Sequence, residues 1–142
     1  MQGLNKQFYS DISLISTEAT MPRPIHFEIH ADDTQRAAQF YNTVFGWKIV
    51  KWDGPEEYWL ITTGDDSQPG INGGLMKRRH PDGRVYNSIE VPSVDDYAEL
   101  VIANGGQIVL PKMPIPGIGY LAYCADTEGI IFGITQFNSS AK

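Results

Sequence analysis

From Ile25 to His30 apolar and polar residues alternate strictly, the period of a half-buried strand. Ile25, Phe27 and Ile29 fall on one face; His26, Glu28 and His30 fall on the other. Asp32-Asp33-Thr34 offers an N-cap, and Ala37, Phe40, Tyr41 and Val44 then recur at helical spacing until Gly46 stops the helix. Residues 47–52 and 58–63 read as strands, residues 65–70 as a turn cluster, and residues 71–76 as a short fourth strand carrying glycines. The same order returns. Residues 85–91 form a strand, and Ser93-Val94-Asp95-Asp96 has the form of a capping box. Val94, Tyr97, Ala98 and Val101 make a second helical stripe that Asn104-Gly105-Gly106 ends. Strands at 107–110, 120–125 and 130–137 complete the unit, with a turn at Asp126 to Gly129.

Each half therefore reads β-α-β-β-β, and a constant offset pairs Ile29 with Ile89, Ala38 with Ala98, Gly46 with Gly106, Asp66 with Asp126, Ile71 with Ile131 and Gly73 with Gly133. The expected fold is α+β, with two paired modules, each curved with its helix on one face, that together form a cup-shaped curved mixed sheet with the helices outside. Module one spans 22–76, a solvated basic linker 77–84, and module two 85–138. Residues 1–21 lack a clear period and read as an N-terminal extension, either an arm that packs on the body or a partner, or a stretch upstream of a second start at Met21.

Composition narrows the class. The chain has 142 residues, 42% of them hydrophobic and 20% charged, which suits one globular domain with a real core and excludes a disordered chain. A net charge of −6 speaks against nucleic acid and acidic membranes as partners. No run is apolar and long enough to span a bilayer, and the first residues lack the basic and apolar regions of a signal peptide. Cys124 has no partner cysteine and no visible activating neighbour, so it reads as a core residue. A cytoplasmic protein is the expectation.

The candidate chemistry lies on the second faces of the two first strands. Ile25, Phe27 and Ile29, and likewise Val85, Ile89 and Val91, must pack on the helices. His26, Glu28 and His30, with Tyr86, Ser88 and Glu90, must then face away from them. If the two sheets pair, these donors, acceptors and titratable groups line a concave cleft suited to binding or acid/base work. Glu28 and Glu90 are the acid/base candidates, and Trp59 and Tyr120 could stack on a planar ligand. The stiff, proline-rich stretch from Pro111 to Gly119 could be a lid or a dimer contact. No nucleophile elbow, phosphate loop or dinucleotide fingerprint is present in the sequence.

The segment HFEIHADDTQRAAQFYNTVFGWKI (His26 to Ile49) resembles the opening of the vicinal oxygen chelate superfamily, which includes glyoxalase I, bleomycin-resistance proteins and extradiol dioxygenases. The run PIPGIGYLAYCADTEGIIFGITQ (Pro114 to Gln136) is similar to the end of the same domain in its single-domain glyoxalase-like branch, so the resemblance covers about 22–138. It implies a cup built from two βαβββ modules and a homodimer. It also implies a divalent metal held by the first and fourth strands of each module. Those positions fall on His26, Gly73, Tyr86 and Gly133, of which His26 alone is a competent ligand. His26 and His30 lie roughly 13 Å apart on an extended strand and cannot share an ion. No metal or other cofactor is therefore expected, although a divalent ion is what the resemblance would supply. The glycines would instead enlarge the cup.

The function expected is that of a glyoxalase/bleomycin-resistance-like protein that binds a small molecule, through His26, Glu28, Trp59, Tyr86, Ser88, Glu90 and Tyr120. The alternatives are a metal-dependent glyoxalase-type lyase or isomerase and a metal-free acid/base enzyme using Glu28 or Glu90.

Overall fold

A computed structural model describes residues 21–142; the extension read at 1–21 lies, apart from Met21, outside the described residues. The strands are β1 (Arg23–Ala31), β2 (Lys48–Lys51), β3 (Tyr58–Thr62), β4 (Gly73–Lys77), β5 (Val85–Glu90), β6 (Gln107–Ile115), β7 (Gly119–Ala125) and β8 (Ile131–Phe137). Helix α1 (Thr34–Phe45) follows β1, and helix α2 (Val94–Ala103) follows β5. The caps are those the sequence signals. Asp33 accepts from the Arg36 amide, Ser93 accepts from the Asp96 amide, and Gly46 closes α1 at φ 74°.

The two modules join in one curved mixed sheet with the helices outside, as expected. All eight strands join one open, mixed sheet in the order β2-β3-β4-β1-β5-β8-β7-β6. Each module contributes four neighbouring strands, and the halves meet where β1 pairs antiparallel with β5. That pairing sets His26 opposite Ser88 and Glu28 opposite Tyr86. The parallel β1–β4 and β5–β8 pairs set Glu28 beside Gly74 and Ser88 beside Gly133.

Both helices cover the same kind of face. Ala37, Ala38 and Tyr41 of α1 pack on Phe27, Ile29, Ile61 and Leu75. Val94, Tyr97, Ala98 and Val101 of α2 pack on Val91, Ala122, Cys124 and Ile134. Ile61, Leu75, Val94, Cys124 and Ile134 are less than 2% exposed. Each buried aliphatic side chain of this size contributes about 1.5–3 kcal/mol by leaving water.

Three local features differ from the sequence reading. The α1 stripe is only half used. Ala37 and Tyr41 pack, but Phe40 and Val44 stay exposed, because Tyr41 stacks on Trp47 with ring centroids 5.1 Å apart and the helix leans on its small residues. Strand β6 runs on through Pro111 to Ile115 instead of ending at a lid loop. It is the edge strand, so prolines without an N–H cost no ladder bond on its open side, and register shifts between Ile108 and Leu110 and between Leu110 and Met113 absorb the misfit. Finally, the β1–β5 register slips between Pro24 and His26. Ile25 is the extra residue of that bulge, and it lines the cavity instead of packing on the helix side.

Candidate functional site

The face of the sheet away from the helices is concave and encloses a cavity of about 330 Å³. Strand alternation decides what enters it. Trp59 and Ile61 of β3 point to the helix side, so Tyr58 and Leu60 line the cavity. Ala122 and Cys124 of β7 do the same for Leu121 and Tyr123. Most of the wall is apolar, with Met76, Met113, Ile118 and Phe137 among its members.

The polar floor centres on Glu28, which is 8% exposed. His30 Nε2 lies 2.7 Å from Glu28 Oε1. The Tyr123 hydroxyl donates to the same oxygen. The Tyr58 hydroxyl donates to Oε2 at 3.0 Å, and His26 Nε2 lies 2.8 Å from that hydroxyl. Ser88 pairs with Thr135 at 2.8 Å on the neighbouring part of the wall. At the mouth, Arg79 is bound by Glu56 at 2.7 Å.

The electrostatics follow from this packing. Burial alone would push the Glu28 carboxyl up, but the hydrogen bonds from His30, Tyr123 and Tyr58 and the charge effect of His30 outweigh it, so Glu28 lies below its ordinary value and is ionised. Tyr58 and Tyr123 are pushed well above the ordinary phenol value, first by burial and then by the Glu28 charge. They are therefore donors over the whole physiological range. Burial lowers His26 despite the opposing pull of Glu28, so its ring is neutral near pH 7. The Cys124 thiol is raised by burial and sits in the helix-side core, as a structural cysteine does.

The structure brings some of the expected site residues together and separates others. His26, Glu28 and Ser88 line the cavity. Tyr86 is buried behind it, its ring 4.1 Å from that of His30. Glu90 is exposed at the end of β5, opposite Arg23, and is not part of the lining. Trp59 and Tyr120 sit in the helix-side clusters and not in the cavity, because each falls on the other parity of its strand. Tyr58 and Tyr123, absent from the expected site, are its main donors. The signal for them was present: each alternates with a residue that packs under a helix.

The four family metal positions can now be tested. Gly73 faces the helix side, since a methyl group there would meet Phe27 at 2.6 Å. Its neighbour Gly74 is the one that faces the cup, where the Tyr58 hydroxyl occupies the space of its missing side chain. Gly133 also faces the cup, and Tyr86 offers only a neutral phenol that burial pushes up. Among the described residues no group of three or more His, Cys, Asp and Glu side chains could hold a metal ion. Glu28 has both oxygens engaged by donors, so His26 stands without a second free ligand. The residues do not fit the metal that the resemblance implies.

An eight-stranded sheet of two βαβββ halves curved around an apolar cup defines a recognisable class of protein. Comparison with known proteins agrees with it. Residues 23–64 match the model of the bleomycin resistance protein-like N-terminal family. The proteins named "Putative glyoxylase CFP32" from Mycobacterium bovis and Mycobacterium tuberculosis are each 27% identical over 123 residues, covering 81% of this chain. The alignment covers 46% of those relatives, so this chain spans about half their length. Among solved structures, hypothetical protein BH1468 from Bacillus halodurans superposes with a TM-score of 0.61 at 14% identity, covering 87% of this chain and 99% of that one. A methylmalonyl-CoA epimerase from Streptomyces coelicolor gives 0.60 at 15% identity over the same shares. The fold is that of the vicinal oxygen chelate superfamily, in its glyoxalase/bleomycin-resistance-like form. No helix among the described residues is long and apolar enough to cross a membrane.

Proposed function

We propose that the chain binds a small molecule in the cup without a divalent metal. The observation that carries this reading is the state of Glu28. Its carboxylate is buried at the cavity floor and accepts from His30, Tyr123 and Tyr58, so it organises the floor and is not free to ligate an ion. A 330 Å³ cavity with apolar walls and a few convergent polar groups suits a small organic ligand. The same saturation weakens the alternative of Glu28 as a general base, since a carboxylate stabilised by three donors takes up a proton reluctantly. Glu90 is too far out to serve. The metal-dependent lyase or isomerase reading lacks its ligands. A homodimer remains part of the proposal, to be read by sedimentation.

Gly133 supplies the test. A methyl group there would make ordinary van der Waals contact, at 3.5 Å with Leu121 and Ser88 and 3.7 Å with Tyr123, so it fits without displacing them while a larger side chain must reach past these cup-wall groups. Gly133→Leu would project into the cup. Hits from a fragment screen, titrated calorimetrically, should bind this variant at least about tenfold more weakly, equivalent to about 1.4 kcal/mol of lost contact. Unchanged affinity in a folded variant would contradict binding in the cup.

A further inference from the structure

The floor of the cup has more hydrogen-bonding atoms than protons, and counting them fixes where each proton sits. Glu28 is an acceptor only, with four lone-pair positions. Around it stand His30 Nε2, the Tyr123 hydroxyl and the Tyr58 hydroxyl, and all three must donate. Tyr58 has a single proton. If it goes to Glu28, the oxygen is left as the acceptor for the group on its other side. That group is His26 Nε2, 2.8 Å away, which must then carry a proton. The reverse arrangement would have Tyr58 donate to His26. It would leave the Glu28 Oε2 carboxylate oxygen without its donor in a buried site, which costs more than a misplaced imidazole proton.

A neutral imidazole has one N–H. With that proton on Nε2, His26 Nδ1 is a bare lone pair. The buried ring nitrogens without partners among the described residues are His30 Nδ1 and Trp59 Nε1; His26 Nδ1 is not one of them. His26 lines the cavity, and its Nδ1 has no hydrogen-bond partner among the described residues, so that nitrogen is the one left for a ligand to engage.

We propose that Tyr58 is a positioning residue that holds His26 with its proton on Nε2, so that Nδ1 offers a hydrogen-bond acceptor at the cup floor to a ligand bearing an O–H or N–H donor on an apolar body. This rests on the small-molecule reading of the cup. The rest of the lining agrees with the ligand class. Leu60, Met76, Met113, Ile118, Leu121 and Phe137 supply apolar wall. The cavity's one guanidinium, Arg79, is already engaged by Glu56. The floor carries the Glu28 charge, so an anionic head group meets repulsion there and a neutral donor does not. Gly74 is part of the device, because a side chain at that position would displace the Tyr58 hydroxyl from both of its partners.

The first measurement needs no ligand. Long-range proton–nitrogen NMR of the nitrogen-labelled full chain at neutral pH reports which His26 nitrogen is protonated. The Nε2–H form is expected in roughly tenfold excess or more, the bias that about one buried hydrogen bond supplies. Tyr58→Phe should reduce that excess to a mixture of forms. A wild-type ring protonated on Nδ1, or a variant that keeps the same single form, overturns the assignment. Should Tyr58→Phe not fold, the wild-type spectrum alone decides it. The second measurement uses phenol and its methyl ether, anisole, as probes. Phenol should shift His26 Nδ1 and bind at least about tenfold more tightly than anisole, the value of one good hydrogen bond in a dry site. Equal binding of both overturns the acceptor role and leaves the small-molecule reading standing. Binding of neither counts against that reading of the cup, while the ring protonation still decides the role of Tyr58.

Discussion

The Tyr58 hydroxyl occupies the space that a side chain on Gly74 would need: a methyl group on Gly74 would lie 1.7 Å from the hydroxyl oxygen. The two residues belong to paired strands, and the absence of one side chain lets the other reach Glu28 and His26. A phenol from the neighbouring strand thus fills the space that a fourth-strand side chain would take in the cup.

Gly74→Ala should therefore behave differently from Gly133→Ala, although both glycines face the cup. The first must push Tyr58 off Glu28 and should cost about 1–3 kcal/mol, the penalty for a buried polar group that loses its partner. The second meets nothing closer than 3.5 Å and should stay within about 0.5 kcal/mol of the parent. Urea unfolding of both variants checks this, and equal effects would remove the special place of Gly74.

Glu28→Gln places an amide among three donors. One amide end is itself a donor: facing the His30–Tyr123 pair it meets two donors, and facing Tyr58 it forces that hydroxyl to accept and to turn its proton to His26, so the floor's proton arrangement must change. A loss of roughly 1–3 kcal/mol is expected by thermal or urea unfolding. A variant as stable as the parent would show that the carboxylate is not what organises the floor.

Acid should destabilise the protein in two stages. His26 is depressed by burial below its ordinary 6.5. Below that pH the unfolded chain binds a proton that the folded chain does not, so stability falls as pH falls. Glu28 is also depressed, its hydrogen bonds outweighing burial, so its contribution is present above the ordinary 4.5 and is lost as pH drops through the lower folded value. Unfolding midpoints between pH 7.5 and 3 should decline over both windows, and His26→Asn should flatten the upper one. A midpoint that rises between pH 7 and 5 would have the wrong sign for His26.

Trp59→Phe and Tyr120→Phe change residues that pack under the helices, so they should alter stability but leave ligand affinity within about twofold. Leu60→Ala, on the cavity wall, should weaken binding of an apolar ligand. Calorimetry on the three variants separates the faces. A large affinity loss from Trp59→Phe would place that ring in the cup after all.

The fold was legible because its signals are local and redundant. Asp33, Ser93 and Gly46 cap where they should, and the alternation of Ile25 to His30 marks β1 with its polar face toward the cup. What failed was long-range or sub-residue in scale. The bulge at Ile25 turns one residue around without any sequence break to announce it. Whether Gly73 or Gly74 faces the cup depends on a one-residue register against β1, and a one-residue slip exchanges the faces. Tyr58 and Tyr123 were missed because aromatic residues favour both core and site. The pairing that joins them at Glu28 spans 30 residues in one case and 95 in the other. Glu90 shares the parity of Tyr86 and Ser88, but the strand ends there and leaves it in solvent.

The most direct test of metal-free binding in the cup is NMR of chelator-treated full chain, labelled on the methionine methyls and the histidine nitrogens, during a screen of apolar hydrogen-bond donors. Met76 and Met113 stand on the cavity wall and His26 on its floor, so one titration reports both occupancy and location. The expected result is saturable binding that shifts these three residues together and does not change when Mn, Ni, Zn or Fe(II) is restored. Binding that appears only after one of these ions is added, with His26 as its ligand, would contradict a metal-free cup.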